Sequence, residues 1–421
     1  MLDPLVLTRA VHIAATLLAA GTVFFTVLVA EPAFRAASGG KKRTNFLRRC
    51  NRLTWWALAV AVLSGAAWLV LLASAILGAP VLDVCLHGGA LAVATGTRFG
   101  LVWTARLVLA VLLAVLVTRP AARWLQAATA SAFAALVSFS GHAGATPGVV
   151  GEIHLAADMG HLIAASAWLG ALPALALLLA SARRGDDAAW GDIAVRATAR
   201  FSWIGVACVA ALLATGLVSS FNLLDSPRDL IASGYGRLLS VKIALFAAMV
   251  AVAAVNRFRL SPRLPRSGAL AALIRNSLAE TALGLGVVAA VALLGTMEPG
   301  SHAAHRAPAE IPADAAFVHL HIPEVMADVT LDPGHHGRSG ATIHVMREDT
   351  SDFPTNDVKF ALDPPKAAVL SPPRSAKRMA DETWRVENID LAQPGVWTVR
   401  VIVGTGASAP AVLDGPIVIE R

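Results

Sequence analysis

Eight apolar runs, each near the ~20 residues that a helix needs to cross a bilayer, dominate residues 1–297. A bilayer offers the backbone no hydrogen-bond partners, so runs of this length are expected to be helical. The chain is 56% hydrophobic and 15% charged, with a mean hydropathy of +0.63, which is not the composition of a soluble enzyme. We therefore predict an all-α polytopic membrane unit whose eight transmembrane helices lie near 5–30, 53–78, 99–118, 124–141, 153–180, 201–222, 237–256 and 278–297.

The basic residues indicate how this unit is oriented. Arginine and lysine concentrate in alternate connections, namely 31–52, 119–123, 181–200 and 257–277. Such loops are cytoplasmic in most membrane proteins, which predicts a multi-pass membrane protein with both termini on the outer side. In a bacterium, that side is the periplasm or the cell exterior. Because topogenic loops explain the net charge of +7, we expect no nucleic-acid partner. The opening residues lack a basic n-region and a cleavage site, so the first run is expected to remain as a helix.

The remainder of the chain has a different pattern. Residues 298–315 are polar and rich in Pro and Ala, which predicts a linker. Residues 316–421 contain short alternating runs separated by turn residues, which favours a small extracytoplasmic β-sandwich. The predicted strands lie near 317–322, 327–331, 341–346, 357–362, 383–388, 396–403 and 416–420.

One apolar run carries an unusual set of ionisable residues. His154, Asp158 and His161 are spaced i, i+4 and i+7, which places them on one face of a helix. Ionisable groups inside membrane spans are costly and are functional candidates by default. Imidazole and carboxylate are ligands for copper, zinc or nickel. These residues are therefore candidate metal ligands.

His154 and His161 are ~10 Å apart along the helix axis, so one shared ion needs ligands from elsewhere. His12, His87 and His142 are the available candidates. The alternatives are a ladder of two sites, or polar groups that simply bond between helices. All 12 histidines fall in predicted outer loops, the outer parts of spans, the linker or the C-terminal unit, which predicts chemistry at the outer face.

Three other charged residues fall within apolar runs. Lys242 and Glu280 lie near span ends, where snorkelling or local pairing explains them. Arg106 lies deeper, and we expect it to pair with a carboxylate or a helix C-terminus. Loop 79–98 is semi-apolar, which predicts a short interfacial helix carrying His87.

The C-terminal unit offers a second set of candidate metal ligands. His319 and His321 alternate on one predicted strand and therefore share a face, and His344 and Met346 repeat this spacing. Imidazole combined with thioether suits copper. The alternative is an exposed polar strand face. The candidates for this secondary site are His319, His321, His335, His336 and Met326.

Several short motifs, in this order and on these spans, carry a family resemblance. They are Ser140-Gly141-His142-Ala143, the run His154 to His161 followed by Ala167-Trp168-Leu169-Gly170, Thr215-Gly216, Tyr235 to Lys242, Asn256-Arg257 and Glu280. Through them the chain resembles the bacterial copper resistance protein D family. The tail, with DVTLDPGHHG at 328–337 and PGVWTVRV at 394–401, resembles the YtkA-like β domain fused to some members. The outer surface is poor in methionine, which favours histidine-based coordination.

The resemblance implies copper handling at the inner membrane, most often import from periplasm to cytoplasm. The expected cargo is Cu(I) or Cu(II), and the expected partners are the lipid bilayer, copper ions and a periplasmic copper-binding protein. Two alternatives stay open. One is an outer-face redox protein with b-type haem held by a pair from His12, His154 and His161, and the other is a copper chaperone that transports nothing. The sequence has no P-loop, Ser-His-Asp or zincin pattern, so we expect no enzymatic activity.

Overall fold

The computed structural model divides the chain into two compact units, Met1–Ala304 and His305–Arg421. It describes residues 3–37, 40–77, 80–140, 148–185, 188–223, 229–264, 266–297, 312, 314–322, 325–347, 352–364, 371–404 and 410–419.

The first unit is helical. Its π-helical segment Phe25–Ala30 joins α1 to α2, and Ser166–Gly170 joins α8 to α9. In chain order the α-helices are α1 (Pro4–Phe24), α2 (Glu31–Ala36), α3 (Gly40–Leu77), α4 (Val81–Leu86), α5 (Gly89–Gly96), α6 (Arg98–Leu116), α7 (Arg123–Ala135), α8 (Gly148–Ala165), α9 (Leu172–Gly185), α10 (Ala188–Leu223), α11 (Asp229–Ala232), α12 (Gly234–Val255) and α13 (Ser267–Leu294).

Within the described ranges, seven helices are long and apolar enough to cross a membrane. They correspond to the predicted spans except the fourth, which is α7 followed by the 3-10 segment Leu136–Ser140. The α part has only 13 residues, but the two parts together extend roughly 30 Å at the usual rise per residue. The predicted class, a helical membrane unit before a β unit, is confirmed, and eight is an approximate count of spans.

The basic connections are more helical than hydropathy suggests. α3 begins at Gly40 and α10 at Ala188, well before the apolar runs they contain. Lys, Arg and Ala are good helix formers, so the helices continue past the membrane-length segment. In this region the buried Glu31 forms an ion pair with Arg43, with 2.6 Å between Oε1 and Nη2, which ties α2 to α3. The predicted short helix in loop 79–98 is present as α4 and α5.

α1 is the helix around which the bundle packs. It contacts α3, α7, α13 and the π-helical segment Ser166–Gly170. Gly21 and Gly170 meet at the last of these contacts. A Cβ on Gly170 would overlap the carbonyl oxygen of Leu17, and a Cβ on Gly21 would overlap the backbone at Gly170. Small residues permit this close backbone approach between membrane helices.

The second unit is a sandwich of two antiparallel sheets, as predicted. One sheet has the order β1-β2-β3-β7-β6 and the other β5-β4-β8-β9. The strands are β1 (Ala316–Ile322), β2 (Val325–Asp332), β3 (Gly337–Met346), β4 (Val358–Asp363), β5 (Arg374–Ser375), β6 (Lys377–Arg378), β7 (Trp384–Leu391), β8 (Gly395–Val403) and β9 (Ala411–Ile419). All seven predicted strands are present, and β5 and β6 are two-residue additions.

Alternation along the strands builds the core of the sandwich. In β2, Val325, Ala327, Val329 and Leu331 are buried in the core between the sheets, whereas Asp328 and its i±2 neighbours lie on the other face. Asp363, the last residue of β4, is a buried carboxylate. Asp363 accepts from Arg400, with 3.0 Å between Oδ2 and Nη2, so this charge is compensated inside the sheet.

We expect Gly170→Ala to destabilise the helical unit by about 1–3 kcal/mol, because the new methyl group overlaps backbone that cannot move aside. The midpoint of thermal unfolding in detergent measures this effect. Gly160→Ala is the matched control, since its Cβ would lie 3.7 Å from Thr215, an ordinary contact. Equal losses in the two variants would show that α1 and Gly170 do not make this contact.

Candidate metal-handling site in the helical bundle

Two ionisable residues of α8 bond to hydroxyl groups of α10. Nδ1 of His161 lies 2.9 Å from Oγ1 of Thr215, and Ser219 donates to Oδ1 of Asp158 at 3.1 Å. The residues are one turn apart on each helix, so two neighbouring turns of α8 face two neighbouring turns of α10. A Cβ at Gly216 would lie 3.9 Å from the Cε1 atom of His161, an ordinary contact, so Gly216 lies directly beside the ring.

The hydrogen bonds fix the tautomer of His161. Oγ1 of Thr215 donates its proton to the carbonyl oxygen of Ala211 at 2.7 Å. It therefore accepts from His161, and Nδ1 of the ring carries the hydrogen. The lone pair of Nε2 is then the one that can accept a ligand. A second partner that fixes the ring in this way is typical of metal-binding histidines.

α12 adds a cation and a phenol to this cluster. The Lys242 ammonium is close enough to interact electrostatically with both Asp158 and His161, and the Tyr235 hydroxyl is within electrostatic range of Asp158. Lys242 is therefore locally paired, one of the two explanations that its position near a span end suggested. The three helices α8, α10 and α12 thus share one polar layer inside an apolar bundle.

His154 lies two turns before His161 on α8. Its side chain is buried, with 3% of its surface exposed, and its Nδ1 atom has no hydrogen-bond partner. Buried polar atoms are nearly always bonded, and an exception requires an explanation such as an ion or a water molecule. Nδ1 of His154 therefore still lacks a bonding partner, and a bound ion or a water molecule would supply one.

His12 belongs to a separate cluster between α1, α3 and α6. The guanidinium of Arg106 can only donate, and its Nη2 lies 2.9 Å from Nε2 of His12. Nδ1 consequently carries the proton and donates to the carbonyl oxygen of Ala61 at 2.9 Å. Both ring nitrogens are engaged and the side chain is 4% exposed, so this geometry favours a structural role and closes the Nε2 lone pair to a metal or a haem iron.

Arg106 is a buried cation that forms hydrogen bonds with uncharged groups. Besides His12 it donates to Thr16 at 2.9 Å and to the carbonyl oxygen of Phe133, and it lies over the Phe133 ring. Phe133 is in the last turn of α7. The expected pairing with a helix C-terminus is therefore what the structure has, and the negative end of that helix dipole stabilises the charge.

The remaining predicted ligands are dispersed. His87 caps α4, is exposed, and places Nδ1 3.0 Å from the carbonyl oxygen of Asp83. His142 lies outside the described residues. Over the described part of the chain, no three His, Cys, Asp or Glu side chains are grouped to hold a metal ion. The single shared site stays a prediction, and the geometry of α8 fits the ladder alternative better.

A second polar cluster lies at the other ends of the helices. Glu280 of α13 is 2% exposed and accepts from the amide of Asn256 at 2.6 Å. Asn276 in turn donates to Asn256 at 2.8 Å. Glu280 and Asn256 border a cavity of about 250 Å³ that Thr198 and Ser277 also line, and the buried hydroxyl of Thr198 has no partner. The spacing of the sequence does not reveal this cavity, because its walls come from four separate helices.

The predicted ligands of the sandwich fall at two different places. Nδ1 of His319 lies 2.5 Å from Oδ1 of Asp328, and His321 is directly opposite Met326 in the register of β1 and β2. His335 and His336 are exposed in the turn before β3, where Nδ1 of His335 is 3.1 Å from the His336 carbonyl oxygen. Roughly 20 Å of strand separate this turn from Met326, so the five candidates do not form one site.

Comparisons with known proteins place these features in context. The family model described as "Copper resistance protein D-like, N-terminal domain" matches residues 1–153, and that described as "Copper resistance protein D" matches residues 195–294. No solved structure matches the chain.

Three curated relatives cover different shares of the chain. The inner membrane protein YebZ of Escherichia coli is 34% identical over 48% of this chain and 70% of its own length. Copper resistance protein D of Pseudomonas syringae is 33% identical over 39% of this chain and 56% of its own. The copper transport protein CutJ of Bacillus subtilis is 33% identical over 38% of this chain and 28% of its own length. The chain therefore spans only part of the latter two relatives.

We expect His12→Ala to lower thermal stability and to leave the bound metal unchanged. The substitution removes a partner of the buried Arg106 guanidinium, which costs about 1–3 kcal/mol, but it removes no free lone pair. Metal content of the purified protein and its thermal midpoint are the two measurements. His87→Ala, at an exposed position, should change neither. A loss of metal with an unchanged midpoint would make His12 a ligand after all.

Proposed function

The chain belongs to the copper resistance protein D family, and from this premise we propose that it binds copper ions inside its helical bundle and passes them through the inner membrane into the cell. A role in copper homeostasis is supported by the family and by two relatives whose names refer to copper resistance and copper transport. The finer steps below concern this chain's own residues.

The observation that carries the proposal is the state of the two histidines on α8. Nδ1 of His154 is buried without a partner, and the bond from His161 to Thr215 directs the Nε2 lone pair away from that contact. Each ring thus keeps a nitrogen for a ligand. Imidazole is a good ligand for copper. Ionisable groups are costly within an apolar helix, so their presence there favours a functional role.

We propose that the two rings act in sequence. The two rings are ~10 Å apart along α8. An ion bound at His154 therefore moves about one turn to reach Asp158 and about two turns to reach His161. The carboxylate compensates the positive charge of the ion there, and Lys242, which interacts with the same carboxylate, competes with the ion for it. A bound ion that is held by few ligands at each step can also leave.

The cavity beside Glu280 is the candidate for the next step. It offers a carboxylate, the Asn256 amide and the unbonded Thr198 hydroxyl at the end of the bundle opposite His154. If the basic connections are cytoplasmic, this is the inner side. The orientation with both termini in the periplasm is part of the proposal, and in it the β unit captures copper outside the membrane.

The haem alternative fits this structure poorly, because a pair that includes His12 would have to displace the bond from Arg106. A copper chaperone that does not transport would use the same α8 ligands, and only flux distinguishes it from a permease. We propose binding and transfer of copper as the role of the chain, with no catalytic reaction.

We expect the His154→Ala/His161→Ala double variant to lose copper from the membrane unit and to lose copper uptake in proteoliposomes. The measurements are copper per protein after purification, radioactive copper accumulation, and an absorption spectrum. His87→Ala is the control and should keep both properties. Binding without flux in the wild-type protein would indicate a chaperone, whereas a Soret band with bound iron would overturn the copper proposal.

We expect Thr215→Val to weaken copper binding at His161 about 10–100-fold, the range for loss of a group that orients a metal-binding histidine. The side chain keeps its shape but no longer accepts the Nδ1 proton. Copper affinity by competition with a chromophoric chelator measures the change. Ser220→Ala on the same helix is the control, because that hydroxyl bonds only to its own helix at Gly216. Unchanged affinity in Thr215→Val would exclude this role for the threonine.

A further inference from the structure

The strand register places two rows of potential metal ligands on one face of the larger sheet. In the first row, His319 of β1 is opposite Asp328 of β2, which is opposite His344 of β3. In the second row, Met326 is opposite Met346. Directly paired residues of antiparallel strands project to the same side, and 326 and 328 are two residues apart, so the rows are adjacent on one face.

Asp352 extends the second row. The chain returns after β3 and forms an isolated antiparallel bridge between Asp352 and Met346. Its carboxylate then reaches the first row, where Oδ1 lies 2.8 Å from Nε2 of His344. This contact was not visible in the sequence, because Asp352 belongs to no predicted strand.

Two histidines of this face, His319 and His344, are each bonded to a carboxylate through one ring nitrogen. His319 uses Nδ1 with Asp328 at 2.5 Å, and His344 uses Nε2 with Asp352. A carboxylate only accepts, so in the neutral rings the opposite nitrogens, Nε2 of His319 and Nδ1 of His344, hold the free lone pairs. Histidines that bind metals almost always donate their other N–H to such a partner.

The two thioethers lie on the same face but are shielded from solvent. Met326 is 7% exposed and Met346 6% exposed, and neither belongs to the core cluster between the sheets. The two histidines are more exposed, at 38% and 39% of their side chains. Met326 is the diagonal neighbour of both His319 and His344, about 7–8 Å from each by sheet geometry.

We propose that His319, His344, Met326 and Met346 bind one Cu(I) ion on this face, and that Asp328 and Asp352 orient the two imidazoles. Thioether sulfur selects Cu(I), whereas zinc takes thiolate, imidazole and carboxylate ligands. Two of the four ligands are thioethers, and the two carboxylates bond to the imidazole rings and not to the ion. This site therefore does not require three His, Cys, Asp or Glu side chains around the ion. The pair His335 and His336 is excluded from the site.

The competing explanation is that the face carries two exposed ion pairs, each worth ~0–1 kcal/mol, and two methionines that fill gaps. It explains either feature separately. It does not explain why two histidines that are each bonded to a carboxylate share one face with two buried thioethers that lie outside the core. The proposal of this site depends only on the residues of the larger sheet. Its role in supplying copper to the membrane unit rests on the proposed function.

The test uses the full-length protein in detergent, in the His154→Ala/His161→Ala background that removes the proposed membrane ligands. Cu(I) is added anaerobically in competition with bathocuproine disulfonate. We expect this background to keep one tightly bound Cu(I), with sulfur neighbours in copper-edge X-ray absorption. Met326→Leu/Met346→Leu, which preserves volume, should weaken Cu(I) binding and remove the sulfur signal. Asp328→Asn/Asp352→Asn should weaken binding about 10–100-fold.

His335→Ala/His336→Ala is the matched control and should keep the Cu(I) affinity of the background. A background protein without tight Cu(I), or a Met→Leu variant with unchanged Cu(I) affinity and a folded circular dichroism spectrum, would overturn the proposal. The proposal would also be overturned if zinc bound as tightly as Cu(I) and its affinity were unchanged by Met326→Leu/Met346→Leu. Cu(I) retained on the sheet while His154→Ala/His161→Ala transports copper normally would sink the proposed function and leave this site standing.

Discussion

The absence of water inside a bilayer is the constraint on which the membrane unit depends. Every polar group within a span must find its partner in the bundle or remain unbonded at a cost of several kcal/mol. Arg106 meets this requirement by donating to His12, Thr16 and the end of α7. Asp158 and His161 meet it through two hydroxyls of α10. The positions of these pairs fix how α1, α6, α8 and α10 are turned towards each other.

Against this background, the exceptions are informative. In the described part of the chain, four buried side-chain atoms have no hydrogen-bond partner: Nε of Arg9, Oγ of Ser138, Nδ1 of His154 and Oγ1 of Thr198. His154 and Thr198 lie at opposite ends of the bundle. Both are next to ionisable groups, Asp158 and Glu280. A protein that carries an ion through a membrane needs polar atoms that are not already satisfied, because only these can replace the water molecules that the ion loses.

The close packing of α1 supports this arrangement. Gly21 and Gly170 bring the backbones of α1 and the α8–α9 junction together, and the junction itself is π-helical. A π-helical turn changes the phase of a helix and is frequent at functional sites. Here it follows His161 by five residues, so the same irregularity that packs α1 also separates the polar face of α8 from the apolar face of α9.

The two units solve the problem of presenting ligands differently. In the bundle, ligands follow a helical face and are shielded by neighbouring helices. In the sandwich, pairing of β1, β2 and β3 aligns residues that are up to 25 positions apart, as with His319 and His344, which share Asp328 as their paired neighbour. The register also separates His335 and His336 from the other candidates, although the sequence gives all of them the same chemistry.

Hydropathy and alternation by themselves determined the fold class, most of the spans, the seven main strands and the face shared by His154, Asp158 and His161, because these follow from local periodicity. The helix ends were less accessible, since α3 and α10 continue through basic segments that hydropathy reads as loops. Only the tertiary structure decided which imidazoles keep a free nitrogen. The contacts that decide this are distant in sequence or lie outside any predicted element, and they are made by Arg106, Thr215, Asp328 and Asp352. Helix packing and strand register determine which hydrogen-bond donors and acceptors meet, and no local sequence pattern specifies them.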